Sequence, residues 1–135
     1  MPSPEDVASF LAQRRIAVVG ASRSRLKYGN IVYRSLRSRG YEVLAVNPAA
    51  GEIEGDPCYA DLASLPGPVD AAIFIVPPER TEALVKEAFA VGVGCVWMQP
   101  GAESEAAVRF CEERGMRTVY GLCILTGPAD RDGND

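Results

Sequence analysis

Hydrophobic positions in this chain alternate between two spacings. Residues 16–19, Ile16-Ala17-Val18-Val19, form an unbroken apolar run of the kind expected for a strand buried on both faces. Similar runs at 41–46, 71–75, 95–98 and 118–120 predict four more strands, the last with an extension through 122–125. Between them apolar residues recur every three or four places. Val7, Phe10 and Leu11 mark a helix over 4–13, opened by Ser3 and Pro4. Ile31, Val32, Ser35 and Leu36 mark one over 30–39 that stops at Gly40. Leu84, Val85, Ala88 and Phe89 do so over 78–91, and Ala107, Phe110 and Cys111 over 103–114. Residues 47–58 carry proline and glycine without a period and predict a loop, with a turn of helix at 60–64. Residues 126–135 read as a polar, disordered tail after a single domain spanning 1–125.

Strands alternating with helices predict an α/β fold, a doubly wound parallel sheet of about five strands with right-handed crossovers and strand order 3-2-1-4-5. All carboxyl ends of such a sheet lie along one rim, where ligands bind. Four strands end in small-residue or proline turns: Gly20-Ala21-Ser22, Asn47-Pro48, Val76-Pro77-Pro78 and Gln99-Pro100-Gly101. Each alone has a plain reading. Asn47-Pro48 suits any strand end, Pro77-Pro78 any helix start, and Gln99-Pro100-Gly101 any loop. Together they predict one binding rim. Trp97, inside a strand, reads as core.

Charge narrows the chemistry. With 14 basic and 18 acidic residues the net charge is −4, which disfavours general binding to nucleic acid or an anionic membrane. No apolar run nears the roughly 20 residues needed to cross a bilayer, and the acidic start Met1-Pro2-Ser3-Pro4-Glu5-Asp6 is unlike a signal peptide. The expectation is a cytoplasmic protein. Cys58, Cys95, Cys111 and Cys123 lack metal-ligand spacing, and the chain has no histidine, so neither a metal site nor His-dependent nucleophilic catalysis is expected. Cys95 and Cys111 sit in apolar patterns and read as core.

Against this background Arg23, Arg25 and Lys27 cluster directly after the first glycine turn. Gly20 admits close backbone approach, Ser22 adds a hydroxyl, and Gly29 and Asn30 open a helix whose amides and dipole favour a phosphate. A glycine-rich dinucleotide fingerprint is missing, since 20–25 contain one glycine. The acid that binds a ribose diol is missing too: Asn47 ends strand 2, and Glu42 lies roughly 16 Å from the rim at about 3.3 Å per residue. A neutral Asn suits a phosphorylated ribose. An NAD(P)-linked enzyme and a regulatory module binding another nucleotide or a protein remain as alternatives.

Val19-Gly20-Ala21-Ser22, Tyr28-Gly29-Asn30, Val46-Asn47-Pro48, Val76-Pro77-Pro78 and Trp97-Met98-Gln99-Pro100-Gly101, in order over about residues 8–123, resemble the CoA-binding-domain family. These are small stand-alone proteins similar to the amino-terminal domain of the succinyl-CoA synthetase α-subunit. The resemblance implies a Rossmann-like domain that binds coenzyme A; with no histidine and no base positioned beside Ser22, a non-catalytic CoA or acyl-CoA binding protein is expected, and a homodimer or a protein partner stays open. It places Gly20, Ala21 and Ser22 at the diphosphate, with Arg25, Lys27 and Tyr28 over the phosphates. Asn47 and Pro48 fall on the adenosine side, Val76 and Pro77 at the adenine or the start of the pantetheine arm, and Gln99 and Gly101 beside that arm. Cys123 reads as a small semi-exposed residue, or as a thiol within reach of the CoA thiol. Ile124-Leu125-Thr126-Gly127-Pro128 after it departs from the family pattern.

Overall fold

The computed structural model describes residues 3–126, so all of the predicted tail except Thr126 lies outside the described residues. Helix α1 (Pro4–Leu11) leads into strand β1 (Arg15–Val19), helix α2 (Tyr28–Ser38) and strand β2 (Glu42–Val46). A hairpin of β3 (Glu52–Ile53) and β4 (Asp56–Tyr59) follows, then a 3-10 turn at Leu62–Ser64. Strand β5 (Ala71–Phe74), helix α3 (Pro78–Ala90), strand β6 (Cys95–Met98), helix α4 (Glu105–Glu113) and strand β7 (Arg117–Tyr120) come next. Among the described residues the strands form one sheet in the order β3-β4-β2-β1-β5-β6-β7. All neighbours are parallel except β3 and β4.

The expected strand order needs correction. It set 71–75 outside strand 2, whereas β5 pairs directly with β1, from Ile16↔Ala71 to Val19↔Phe74. The place beyond β2 belongs to β4, through Ala45↔Cys58 and Val46↔Tyr59. The segment read as a loop is therefore a hairpin. Glu54 (φ 51) and Gly55 (φ 83) form its turn, with the positive angles that a two-residue hairpin requires. Ile53 is fully buried. Gly51 and Pro57 interrupt the apolar alternation, and a two-residue strand is too short to show a period. Counted among parallel strands only, the order is 3-2-1-4-5-6, with β4 as the third strand.

Alternate residues of the runs serve two cores. Ala17, Val19, Leu44, Val46, Ala72, Phe74, Val96 and Met98 face α3 and α4 through Val85, Ala88, Ala107 and Cys111. Ile16, Val18, Ala45, Ile73 and Trp97 face α1 and α2 through Phe10, Val32, Tyr33 and Leu36. Burying each such large side chain contributes about 1.5–3 kcal/mol. Trp97 is core, with its indole N–H donating to the Leu122 carbonyl at 3.0 Å and its ring edge-on to Phe10. Cys95 and Cys111 are buried. Phe89 departs from expectation: it is 45% exposed and packs edge-on against Phe110 at the surface between α3 and α4. Residues 122–125 form a turn rather than a strand extension, though Ile124 is buried. No helix among the described residues is long and apolar enough to cross a membrane.

Candidate functional site

The strands stop at one level. Beyond their last paired residues, the Gly20 amide donates to Val46, Ile75 to Val19, Asn47 to Tyr59 and Gln99 to Phe74, all between 2.8 and 3.1 Å. The four turns therefore share one rim, which is the placement the sequence pattern predicts.

Two glycines make the first turn possible. Gly20 has φ +100, and a Cβ there would lie 2.2 Å from the Ile75 carbonyl oxygen. Its missing side chain makes room for the neighbouring strand exit. Gly29 lies in the first turn of α2, where a Cβ would sit 2.0 Å from the Gly20 oxygen. The helix start is thus pressed against the strand exit, and α2 begins two residues earlier than its apolar period suggests.

Two asparagines then orient the loop. Asn47 Nδ2 donates to the Ala21 carbonyl at 2.8 Å, and Asn30 Nδ2 to that of Ser22 at 2.9 Å. In a trans peptide the amide points opposite to the carbonyl. Drawing those two oxygens inward turns the N–H groups of Ser22 and Arg23 the other way. Among the described residues these amides, and those of Tyr28 and Gly29 at the start of α2, donate to no protein acceptor. No side chain caps α2. Free amides at a helix start are a site for an anion.

Arg23, Arg25 and Lys27 are exposed around these amides. Arg25 pairs with Glu54 at 3.5 Å, whereas Arg23 and Lys27 have no anionic partner among the described residues. Asn30 is fully buried and spent: its Nδ2 also donates to Glu54 Oε2 at 3.0 Å, and its Oδ1 accepts from Arg34 Nε at 2.6 Å. Asn47 is spent as well, its Oδ1 accepting from the Ala49 amide at 2.8 Å. Both asparagines shape the loop from within the protein.

Across the sheet centre, Tyr28, Ile75, Gln99, Pro100 and Cys123 line a cavity of about 230 Å³. Gln99 accepts from the Ile124 amide at 2.8 Å and donates to Cys123 Sγ at 3.5 Å. Burial opposes ionisation of Cys123. Hydrogen bonds from Gln99 and from Leu125 and Thr126 outweigh it and hold the thiol below its ordinary pKa. Val76 adjoins Gly20, while Pro77 is exposed at the start of α3. Gly101 (φ +96) is exposed, its amide bonded to Glu103 Oε1, and Pro48 is exposed; no side-chain contact ties either to the others. Sequence reasoning missed Glu54, Ile75 and Pro100. Only the residues flanking each turn hinted at the last two, and nothing local signalled Glu54. A larger cleft, about 480 Å³ beside α4 and β7, is bordered by Glu103, Glu105 and Glu112 against Arg109. Its charge suits a polyanion poorly.

A model of the CoA binding domain family matches residues 14–127. The chain belongs to this family. It is 42% identical over 119 residues to the ADP-forming acetate–CoA ligase I of Archaeoglobus fulgidus, covering 81% of this chain but 17% of the ligase. It is 28% identical to the uncharacterized protein YneT of Bacillus subtilis, covering 95% of this chain and 96% of that one. A conserved hypothetical protein from Pyrococcus furiosus superposes with a TM-score of 0.80 at 47% identity, over 85% of this chain and 99% of the other. The Rossmann-like fold and the family are thereby established.

Proposed function

We propose that this chain binds coenzyme A or an acyl-CoA without catalysing a reaction on it, with the diphosphate at the turn after β1 and the start of α2. The observation that carries this reading is the set of amides of Ser22, Arg23, Tyr28 and Gly29 that donate to no acceptor among the described residues. Each dipole contact contributes about 0.3–1 kcal/mol, so a diphosphate also needs Arg23, Lys27 and, when released, Arg25. The adenosine lies toward Asn47 and Pro48. The pantetheine arm crosses Val76 and Pro77 toward the cavity beneath Tyr28, with Gln99 forming its wall and Gly101 at its edge. That cavity, of about 230 Å³, suits the thiol end of the ligand with or without a small acyl group.

Several features favour binding over chemistry. The chain has no histidine, and the Ser22 hydroxyl accepts from the Ser24 amide at 3.1 Å instead of meeting a base. An NAD(P) enzyme is disfavoured by Asn47, whose amide is committed to Ala21 and offers a ribose diol no carboxylate.

A thermal-shift panel of CoA, acetyl-CoA, dephospho-CoA, NAD, NADP and ATP, followed by calorimetry, tests the proposal. At a hundredfold excess over Kd a ligand adds about 2.7 kcal/mol. CoA and acetyl-CoA should raise Tm, and NAD should not. No saturable heat with CoA refutes the reading.

A further inference from the structure

Glu54 stands at the tip of the β3–β4 hairpin, yet its carboxylate reaches back to the phosphate loop. Oε2 accepts from Asn30 Nδ2 at 3.0 Å and lies 3.5 Å from Arg25 Nε. Its side chain is 18% exposed, and that of Arg25 is 65% exposed. Arg37 Nη1 holds the Glu54 carbonyl at 3.1 Å. Glu54 is also the one non-glycine residue among those described with positive φ, at 51°. That angle belongs to the two-residue hairpin turn, which carries the Glu54 side chain back toward Asn30 and Arg25. The other cations near it have separate partners: Arg34 Nε donates to Asn30, and Arg37 pairs with Asp56 at 2.7 Å. The Asn30 hydrogen bond, aided by Arg25, Arg34 and Arg37, holds the carboxyl below its ordinary pKa against the opposing effect of burial, so it is an anion at neutral pH.

We infer that Glu54 sets the affinity of the rim site: in the empty protein its carboxylate occupies Arg25, and a phosphate of the incoming nucleotide must take Arg25 from it. The inference rests on the coenzyme A reading. Two anions compete for one guanidinium, and a phosphate gains Arg25 only as the carboxylate gives it up. Arg25 therefore contributes to binding only what remains after its bond to Glu54 is broken. The competing group is a phosphate oxyanion, from either the diphosphate or the ribose phosphate.

The test is calorimetric titration of CoA and dephospho-CoA into wild type, Glu54→Gln, Arg25→Gln and the double variant. Glutamine keeps an oxygen for Asn30, so the hairpin stays anchored while Arg25 is freed. Glu54→Gln should tighten CoA by about three- to tenfold. Arg25→Gln alone should weaken CoA binding, and in its background Glu54→Gln should give no further gain. Glu54→Asp, one methylene shorter and so withdrawn from Arg25, should shift affinity in the same direction. A gain confined to CoA identifies the ribose phosphate as the competitor; a gain shared by dephospho-CoA identifies the diphosphate. Equal affinity in wild type and Glu54→Gln, or a gain that survives Arg25→Gln, overturns the inference while leaving the coenzyme A reading intact. If neither wild type nor Glu54→Gln binds, both fall.

Discussion

Replacing Gly29 by alanine tests whether the packing of the α2 start against the β1 exit both holds the fold and presents the amides. On helix propensity alone the change is favourable by up to about 1 kcal/mol. The structure opposes it, because the new Cβ would stand 2.0 Å from the Gly20 carbonyl oxygen. An ordinary carbon–oxygen contact is about 3.3 Å, so the helix start must withdraw by roughly 1.3 Å. The obstacle is backbone and cannot rotate away, which puts the cost near the upper end of overpacking, about 3 kcal/mol. Net destabilisation is then about 2 kcal/mol. At about 4 °C per kcal/mol for a chain of this length, Tm falls by roughly 8 °C. A 1 Å withdrawal also takes the Tyr28 and Gly29 amides out of hydrogen-bond range of a phosphate positioned by Ser22 and Arg23, so CoA affinity should fall by about tenfold or more. Urea unfolding and calorimetry on the same preparation read both effects. Gly94→Ala is the control: nothing lies within 4 Å of its Cβ position, and its stability should change by no more than about 1 kcal/mol. Wild-type stability in Gly29→Ala would refute the packing argument. Lower stability with unchanged CoA affinity would refute the placement of the phosphate.

Two other predictions concern side chains. Cys123 should react with a thiol reagent faster than Cys111, which is buried and pushed up to about 12, and bound CoA should slow Cys123 without protecting Cys58. Mass spectrometry of partly alkylated protein reads this, and equal labelling of Cys123 with and without CoA removes the cavity from the site. Asp56 should govern acid stability. Its bond from Tyr33 Oη at 2.7 Å, and then Arg37, hold its carboxyl below the ordinary value against the effect of burial. A depressed folded-state pKa gives stability that is full above the unfolded value of about 3.9 and lost as pH falls through the folded value. Tyr33→Phe should cost about 1 kcal/mol at pH 7, a small figure because Asp56 is 40% exposed, and should flatten the loss below about pH 4. A melting series with parallel pH profiles for the two proteins would contradict it.

The elements themselves were readable from local pattern. Apolar runs such as 16–19 and 95–98 announced strands covered on both sides, and Ser3-Pro4 announced a helix start. Both signals act within a few residues and survive in any context. The hairpin was unreadable because its pairing partner gives it meaning: Glu52–Ile53 becomes a strand only when Asp56–Tyr59 lies alongside. That omission displaced Ala71–Phe74 in the expected order, since β4 already fills the place beyond β2. The spacing of Phe89 fits the apolar stripe of a helix, but α4 covers only part of that face, through Phe110.

The same division runs through the rim. Gly20, Ser22, Gly29, Asn30, Asn47 and Gln99 could be picked out along the chain because turns and helix starts demand such residues. Their duties were decided only by folding. Asn30 and Asn47 spend their amides on Ser22 and Ala21, Gln99 holds Ile124, and Gly20 yields to Ile75. Glu54 reaches Arg25 from a separate hairpin. Residue order carries periodicity, turn chemistry and net charge, since these depend on near neighbours. Strand adjacency and hydrogen-bond allegiance depend on groups distant in sequence that must all be satisfied at once, so they exist only in the assembled chain.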